Sequence, residues 1–155
     1  AIVEYLCIKT GTNGIVRTYN HNDDPNYENT GKALKYKETI LNSITEKNIS
    51  ILLDIHGCKD SHGFDIELGT NYGENINQDE RILEILKTEF SKIGTVVIDE
   101  KFKASRTTTV SNFINKNSDI PCVQIEISKK FRRENENLIK LLNTIESVIY
   151  KLSTK

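Results

Sequence analysis

The sequence predicts an α/β protein in which helices cover both faces of a mostly parallel or mixed sheet, giving three layers. Two observations support this prediction. Short apolar runs rich in β-branched residues alternate with longer segments whose apolar residues recur at helical spacing. The chain of 155 residues also shows no internal repeat, low-complexity segment or linker. We therefore expect one domain that spans residues 1–155.

In the first half of the chain, short apolar runs bounded by turn residues predict strands at 2–9, 15–19, 49–55 and 64–68. Residues 20–30 are nearly all polar and predict a loop. Between this loop and the third strand, a helix is expected over 32–48, because its apolar residues fall on one face. These residues are Leu34, Tyr36, Ile40, Leu41 and Ile44.

The second half continues the alternation. Helices are expected at 79–92, 108–117 and 134–152, where apolar residues recur at i, i+3, i+4 and i+7. Strands are expected at 95–98 and 121–128, and the proline that opens the latter is tolerated at a first strand position. The basic residues at 129–133 precede Glu134 and Glu136, a pattern typical of a solvated helix start.

Composition excludes several function classes. The net charge of −1 leaves no basic excess to neutralise phosphates, which argues against nucleic acid as a partner. No apolar segment is long enough to span a bilayer, and no signal peptide is visible. The three cysteines, Cys7, Cys58 and Cys122, do not form a disulfide framework, so we expect a cytoplasmic protein. The chain opens directly in an apolar run, which is compatible with a fragment of a longer protein.

The segment 51–70 is the expected centre of function, because ionisable residues appear there at the end of an apolar strand. His56 beside Gly57 is a candidate metal ligand, with Asp54 placed to accept a hydrogen bond from the other ring nitrogen. A histidine hydrogen-bonded in a loop is the alternative. His56, Cys58 and His62 form H-x-C-x3-H, which permits a metal cluster or a cysteine nucleophile as weaker alternatives.

Glu126 stands in an apolar strand as a candidate general base, since desolvation in a cleft would raise its pKa. Strict alternation with Gln124 and Ser128 leaves a solvent-facing position equally open. Arg106, in a Ser/Thr-rich loop, is a candidate for holding a substrate carboxylate. Asn20 and His21 are candidates for lining the same cleft.

Three segments taken together resemble the N-formylglutamate amidohydrolase family: Asp54-Ile-His-Gly57, Phe64-Asp-Ile-Glu-Leu-Gly-Thr70, and Val123-Gln-Ile-Glu-Ile-Ser128 followed by Phe131-Arg132. The resemblance extends over most of the chain. It implies relatedness to zinc carboxypeptidases and aspartoacylases, with a phosphorylase/hydrolase-like α/β/α fold. It also implies zinc as the cofactor, His56 as a zinc ligand, Glu126 as the acid that activates water, and Arg106 and Asn20 as substrate-binding residues.

The sequence departs from that family in its metal ligands. No histidine precedes His21 and no H-x-x-E motif is present, whereas the family draws further ligands from an earlier strand end. Three explanations stay open: upstream residues outside this chain, loss of catalysis, or substitution by His21, His62 or Asp65.

The predicted function is metal-dependent hydrolysis of an N-formyl or N-acyl amino acid or short peptide. The alternative is a non-catalytic relative that binds a small carboxylate or a protein partner through the same cleft.

Overall fold

Helices lie on both faces of a single mixed sheet in the computed structural model of the chain, which describes residues 2–18 and 22–154. The strands are β1 (Leu52–Cys58), β2 (Ile66–Gly69), β3 (Val96–Ile98) and β4 (Cys122–Ser128). The helices are α1 (Ile2–Thr10), α2 (Gly31–Lys47), α3 (Glu80–Phe90), α4 (Val110–Ser118), α5 (Lys129–Arg133) and α6 (Asn135–Ser153). The predicted α/β class is confirmed.

The strand order within the described residues is β1-β4-β2-β3. β4 is parallel to β1 and antiparallel to β2, and β2 is parallel to β3. The mixed character of the sheet is therefore as predicted. Since β4 lies between two strands, its main-chain groups are paired on both sides, and all seven of its residues are buried.

Two apolar clusters show that each face of the sheet is covered. One cluster joins the odd-numbered residues of β4 (Val123, Ile125 and Ile127) to α3 and α6. The other joins α2 and α4 to Cys122. Each fully buried isoleucine contributes roughly 1.5–3 kcal/mol to stability. Three layers follow from this packing, and the even-numbered residues of β4 face the α2–α4 side.

The predicted strand at 2–9 is wrong, because these residues form α1. Ile2, Tyr5 and Leu6 fall on one helical face and pack into the cluster that contains α6. A short apolar run fits either a strand or a helix, and the neighbouring helix decided the outcome. Residues 15–18 of the second predicted strand form no regular element, and residue 19 lies outside the described residues.

The strand predicted at 49–55 is shifted along the chain, since β1 runs from Leu52 to Cys58. His56 therefore lies inside the strand, because pairing with β4 continues as far as Cys58 and Ser128. The basic segment forms its own helix, α5, before α6 begins. None of the helices in the described residues has the length and apolar composition needed to cross a membrane.

Candidate active site

A row of ionisable side chains crosses three neighbouring strands on the α2–α4 side of the sheet. His56 of β1 is the register partner of Glu126 of β4, and Glu126 is the partner of Glu67 of β2. The next row contains Asp54 opposite Gln124. Alternation explains the placement, because each apolar neighbour in β4 points into the α3–α6 cluster.

His56 is held by a carboxylate from its own strand. Its Nε2 atom lies 2.9 Å from Oδ1 of Asp54, and Nδ1 has no hydrogen-bond partner among the described residues. Burial acts to lower the pKa of His56, but Asp54, assisted by Glu126 and Asp24, outweighs it and raises the pKa to about 9. Asp54 thus occupies the position expected from the sequence.

Glu126 is buried, with 6% of its surface exposed, so the solvent-facing alternative does not hold. Its Oε1 atom accepts a hydrogen bond of 3.0 Å from Nε2 of Gln124. Burial raises the pKa of Glu126, and the nearby charges of Asp54 and Glu67 act in the same direction. His56 and Gln124 oppose this shift only in part. The carboxyl group therefore binds a proton more readily than an exposed glutamate does.

Glu67 is a fully buried neighbour of Glu126 that the sequence did not single out as a site residue. Its Oε1 atom accepts hydrogen bonds from the main-chain N–H groups of Glu100, Lys101 and Phe102, at 2.9, 2.6 and 2.7 Å. Its Oε2 atom has no partner among the described residues. The donors belong to a distant loop, so nothing in the local sequence around Glu67 indicates them.

Asn26 reaches the histidine from the polar loop before α2. Its Nδ2 atom lies 3.4 Å from Nε2 of His56, and its Oδ1 atom accepts a hydrogen bond of 2.9 Å from the N–H of Val110. The hydroxyl of Thr108 donates to the Asn26 carbonyl at 3.0 Å. Asn26 is thus a site residue that sequence reasoning missed, since the partners that hold it, Thr108 and Val110, lie more than eighty residues away.

Lys37 holds the loop that contains Asn26 in place. Its side chain is fully buried, and its Nζ atom donates to the Glu28 carbonyl at 2.8 Å, to Oδ1 of Asn29 at 2.5 Å and to the Thr108 carbonyl. Burial lowers the pKa of Lys37 to about 8. This cation therefore joins the loop that carries Asn26 to the loop that carries Arg106.

The other predicted residues lie around the site or are engaged elsewhere. Arg106 is exposed and stacks on Tyr27, with 4.8 Å between its guanidinium carbon and the ring centroid. His62 stacks on Phe64, and Asp65 pairs with Lys130 at 2.5 Å. Asn20 and His21 lie outside the described residues.

Cys58 is buried at the end of β1. Burial raises the pKa of its thiol, and the Glu126 charge adds to the effect. Because the thiolate is the nucleophilic form, this environment does not activate Cys58.

These residues match a zinc site in kind but not in number. An imidazole whose second nitrogen pairs with a carboxylate is the usual form of a metal-binding histidine. A catalytic zinc, however, takes three protein ligands. Within residues 2–18 and 22–154, no group of three or more His, Cys, Asp or Glu side chains could hold a metal ion. The described residues therefore do not complete such a site.

Comparison with known proteins gives the family. The model of the family described as poly-gamma-glutamate hydrolase matches residues 18–147, which include His56, Glu67 and Glu126. No curated protein and no solved structure matches the chain. The expectation of a hydrolase family is confirmed at this level, while the N-formylglutamate assignment stays a prediction. The match covers most of the chain, which belongs to the poly-gamma-glutamate hydrolase family.

Proposed function

We propose that this domain hydrolyses amide bonds of γ-linked glutamate chains and that Glu126 is its general base. The observation that carries the proposal is the position of Glu126, buried beside His56 in a row of ionisable groups. His56 and Gln124 favour the carboxylate form of Glu126, but burial outweighs them, so the group accepts protons more readily than usual. Membership of a hydrolase family supports the same chemistry.

Glu126 has two tasks in this reaction. As a carboxylate it takes a proton from a water molecule while the water oxygen forms a bond to the amide carbonyl carbon. It then gives that proton to the nitrogen as the C–N bond breaks, which leaves a new carboxyl group and a new amine. A raised pKa serves both steps, because the group must accept and then release a proton near neutral pH.

Asp54 and Gln124 act as positioning residues. Asp54 fixes the ring of His56 by its 2.9 Å contact to Nε2, which leaves Nδ1 available on the opposite side of the ring. Gln124 fixes one carboxylate oxygen of Glu126.

Zinc remains part of the proposal for the complete catalytic unit, with His56 as one ligand through Nδ1. When bound, zinc lowers the pKa of a water ligand and polarises a carbonyl group. Because the described residues hold no group of three ligands, at least one ligand has to come from outside them, and His21 is one candidate by sequence. Elemental analysis after incubation with zinc and desalting tests this part: we expect zinc in the wild type and none in His56→Ala.

The proposed substrate carries free carboxylates next to its amide bonds, and Arg106 and Asn20 are the proposed contacts for them. N-formyl or N-acyl amino acids and short peptides share this chemistry and are the narrower alternatives. Incubation with poly-γ-glutamate, followed by size-exclusion chromatography and amine detection, tests the choice. We expect shorter chains with one new amine for each bond cleaved. Hydrolysis of N-formylglutamate while poly-γ-glutamate stays intact would favour the narrower alternative instead.

A second candidate function is binding without catalysis. It is favoured by one observation, the lack of a three-ligand metal group in the described part of the chain. A protein that binds poly-γ-glutamate and, after zinc incubation, produces no new amine would support this candidate over hydrolysis.

A further inference from the structure

One loop on the polar side of the sheet contacts site residues at both of its ends. We call residues 99–109 the arch. Its first part contacts Glu67 of β2, which accepts hydrogen bonds from three consecutive N–H groups of the arch. Its last part rests on Asn26, next to His56 of β1. Because β4 lies between β1 and β2, the arch spans the strand that carries Glu126.

The arch lies close to the sheet. A Cβ atom at Gly69 of β2 would collide with the carbonyl oxygen of Phe102. Lys37 fixes the other end through the Thr108 carbonyl. The path of the arch is thus determined at both ends by buried groups.

Three cations project from the arch, and each has an aromatic side chain beside it. The Lys101 Nζ is 6.0 Å from the ring centroid of Phe64 and the Arg106 guanidinium is 4.8 Å from that of Tyr27, whereas the Lys103 Nζ donates a hydrogen bond to the Tyr72 hydroxyl. Such contacts hold a cation in place without neutralising its charge.

These three cations lack a carboxylate partner within 4.0 Å among the described residues. Of the two acidic residues in the arch, Asp99 turns its carboxylate inward to Thr70 and to the N–H of Tyr72. Glu100 is exposed. The exposed part of the arch therefore carries an excess of positive charge on a chain whose net charge is −1.

We propose that the arch is a binding track for the free carboxylates of a polyanionic, γ-linked glutamate chain. This inference rests on the proposed function, and it specifies how the substrate is held. Each γ-linked unit carries one free α-carboxylate, so an extended chain presents a row of anions. Arg106 offers a paired hydrogen-bond fork and the two lysines offer point charges. The arch rests on Glu67 and Asn26, so binding along it holds the chain next to the site that contains Glu126.

The test measures binding separately from cleavage. In a Glu126→Gln background, the affinity for poly-γ-glutamate is compared with and without the triple change Lys101→Gln, Lys103→Gln and Arg106→Gln. We expect a loss of roughly tenfold, since three weak exposed charge contacts are removed together. We also expect a weaker dependence of affinity on salt.

The matched control changes Lys35, Lys87 and Lys140 to Gln; all three are exposed and lie on helices. This variant has the same net charge and should keep its affinity. Equal loss in both triple variants, or unchanged affinity in the arch variant, would overturn the proposal. Arch-dependent binding without any hydrolysis by the wild type would support the binding proposal and reject the catalytic one. The experiment thus distinguishes failure of the binding proposal from failure of the proposed function.

Discussion

Two glutamates of this protein are almost equally buried and have opposite surroundings. Glu89, between α3 and α6, is 2% exposed, and Glu126 is 6% exposed. Glu89 receives hydrogen bonds from Lys92 at 2.6 Å, Lys151 at 2.7 Å and Ser147 at 2.9 Å. Hydrogen bonds from Lys151 and Lys92 outweigh burial and lower the pKa of Glu89 to about 2. For Glu126, burial dominates and raises the pKa.

Glu89 therefore stabilises the fold, whereas Glu126 is retained although its burial lowers stability. A buried carboxylate with cationic partners and filled hydrogen bonds joins two helices. The surroundings of Glu126 include three buried polar atoms without partners among the described residues: Glu67 Oε2, Gln124 Oε1 and Ser128 Oγ. Unpaired buried polar groups lower stability, and they concentrate where a protein binds or transforms a ligand.

The largest expected change in stability comes from removing the paired glutamate. Glu89→Ala should lower the free energy of unfolding by roughly 1–3 kcal/mol, because it removes hydrogen bonds to charged groups. Chemical denaturation measures this value. Glu84→Ala on the same helix is the control, since Glu84 is exposed and its loss should cost less than about 0.5 kcal/mol. A similar loss in both variants would contradict the role given to Glu89.

A smaller effect is expected in the pH dependence of stability. In the unfolded chain Glu89 takes up a proton near pH 4.5, whereas in the folded protein it stays ionised to about pH 2. Its contribution is therefore complete above the unfolded value and is lost as the pH falls towards 2. Glu89→Gln should flatten this acid-side decline in melting temperature. An unchanged slope would show that Glu89 is not linked to folding in this way.

The smallest effect is expected at Glu126 itself. A raised pKa means that folding favours the protonated form, so the ionised group opposes folding as the pH rises above its ordinary value. Glu126→Gln mimics the protonated form and should leave stability at neutral pH unchanged or raise it by up to about 1 kcal/mol. Thermal unfolding at pH 7 measures this. A clear loss of stability would place Glu126 in the same class as Glu89.

Much of the fold followed from local patterns. Over α2, α3 and α6 the apolar residues recur at one period for several turns, and the packing in the structure uses those faces. The first helix was mispredicted because eight apolar-rich residues fit two periods, and only contact with α6 distinguishes them.

The site divides in the same way. His56 and Glu126 could be singled out because each interrupts an apolar run, and pairing of β1 with β4 makes them neighbours. Glu67, Asn26 and Lys37 were not singled out, because each is held by at least one partner on a loop or helix more than thirty residues away. The burial of Glu126 likewise depends on the rest of the fold, which its own strand does not encode.

The most direct test compares cleavage of poly-γ-glutamate by the wild type, Glu126→Gln and Glu89→Gln, at equal protein concentration and after zinc incubation. Loss of a general base reduces the rate by about 100-fold or more, so Glu126→Gln should release new amines at least that much more slowly while remaining folded. Glu89→Gln should cleave at nearly the wild-type rate despite its lower stability. Equal rates for the wild type and Glu126→Gln would contradict the central claim that the buried glutamate without a lysine partner is the catalytic one.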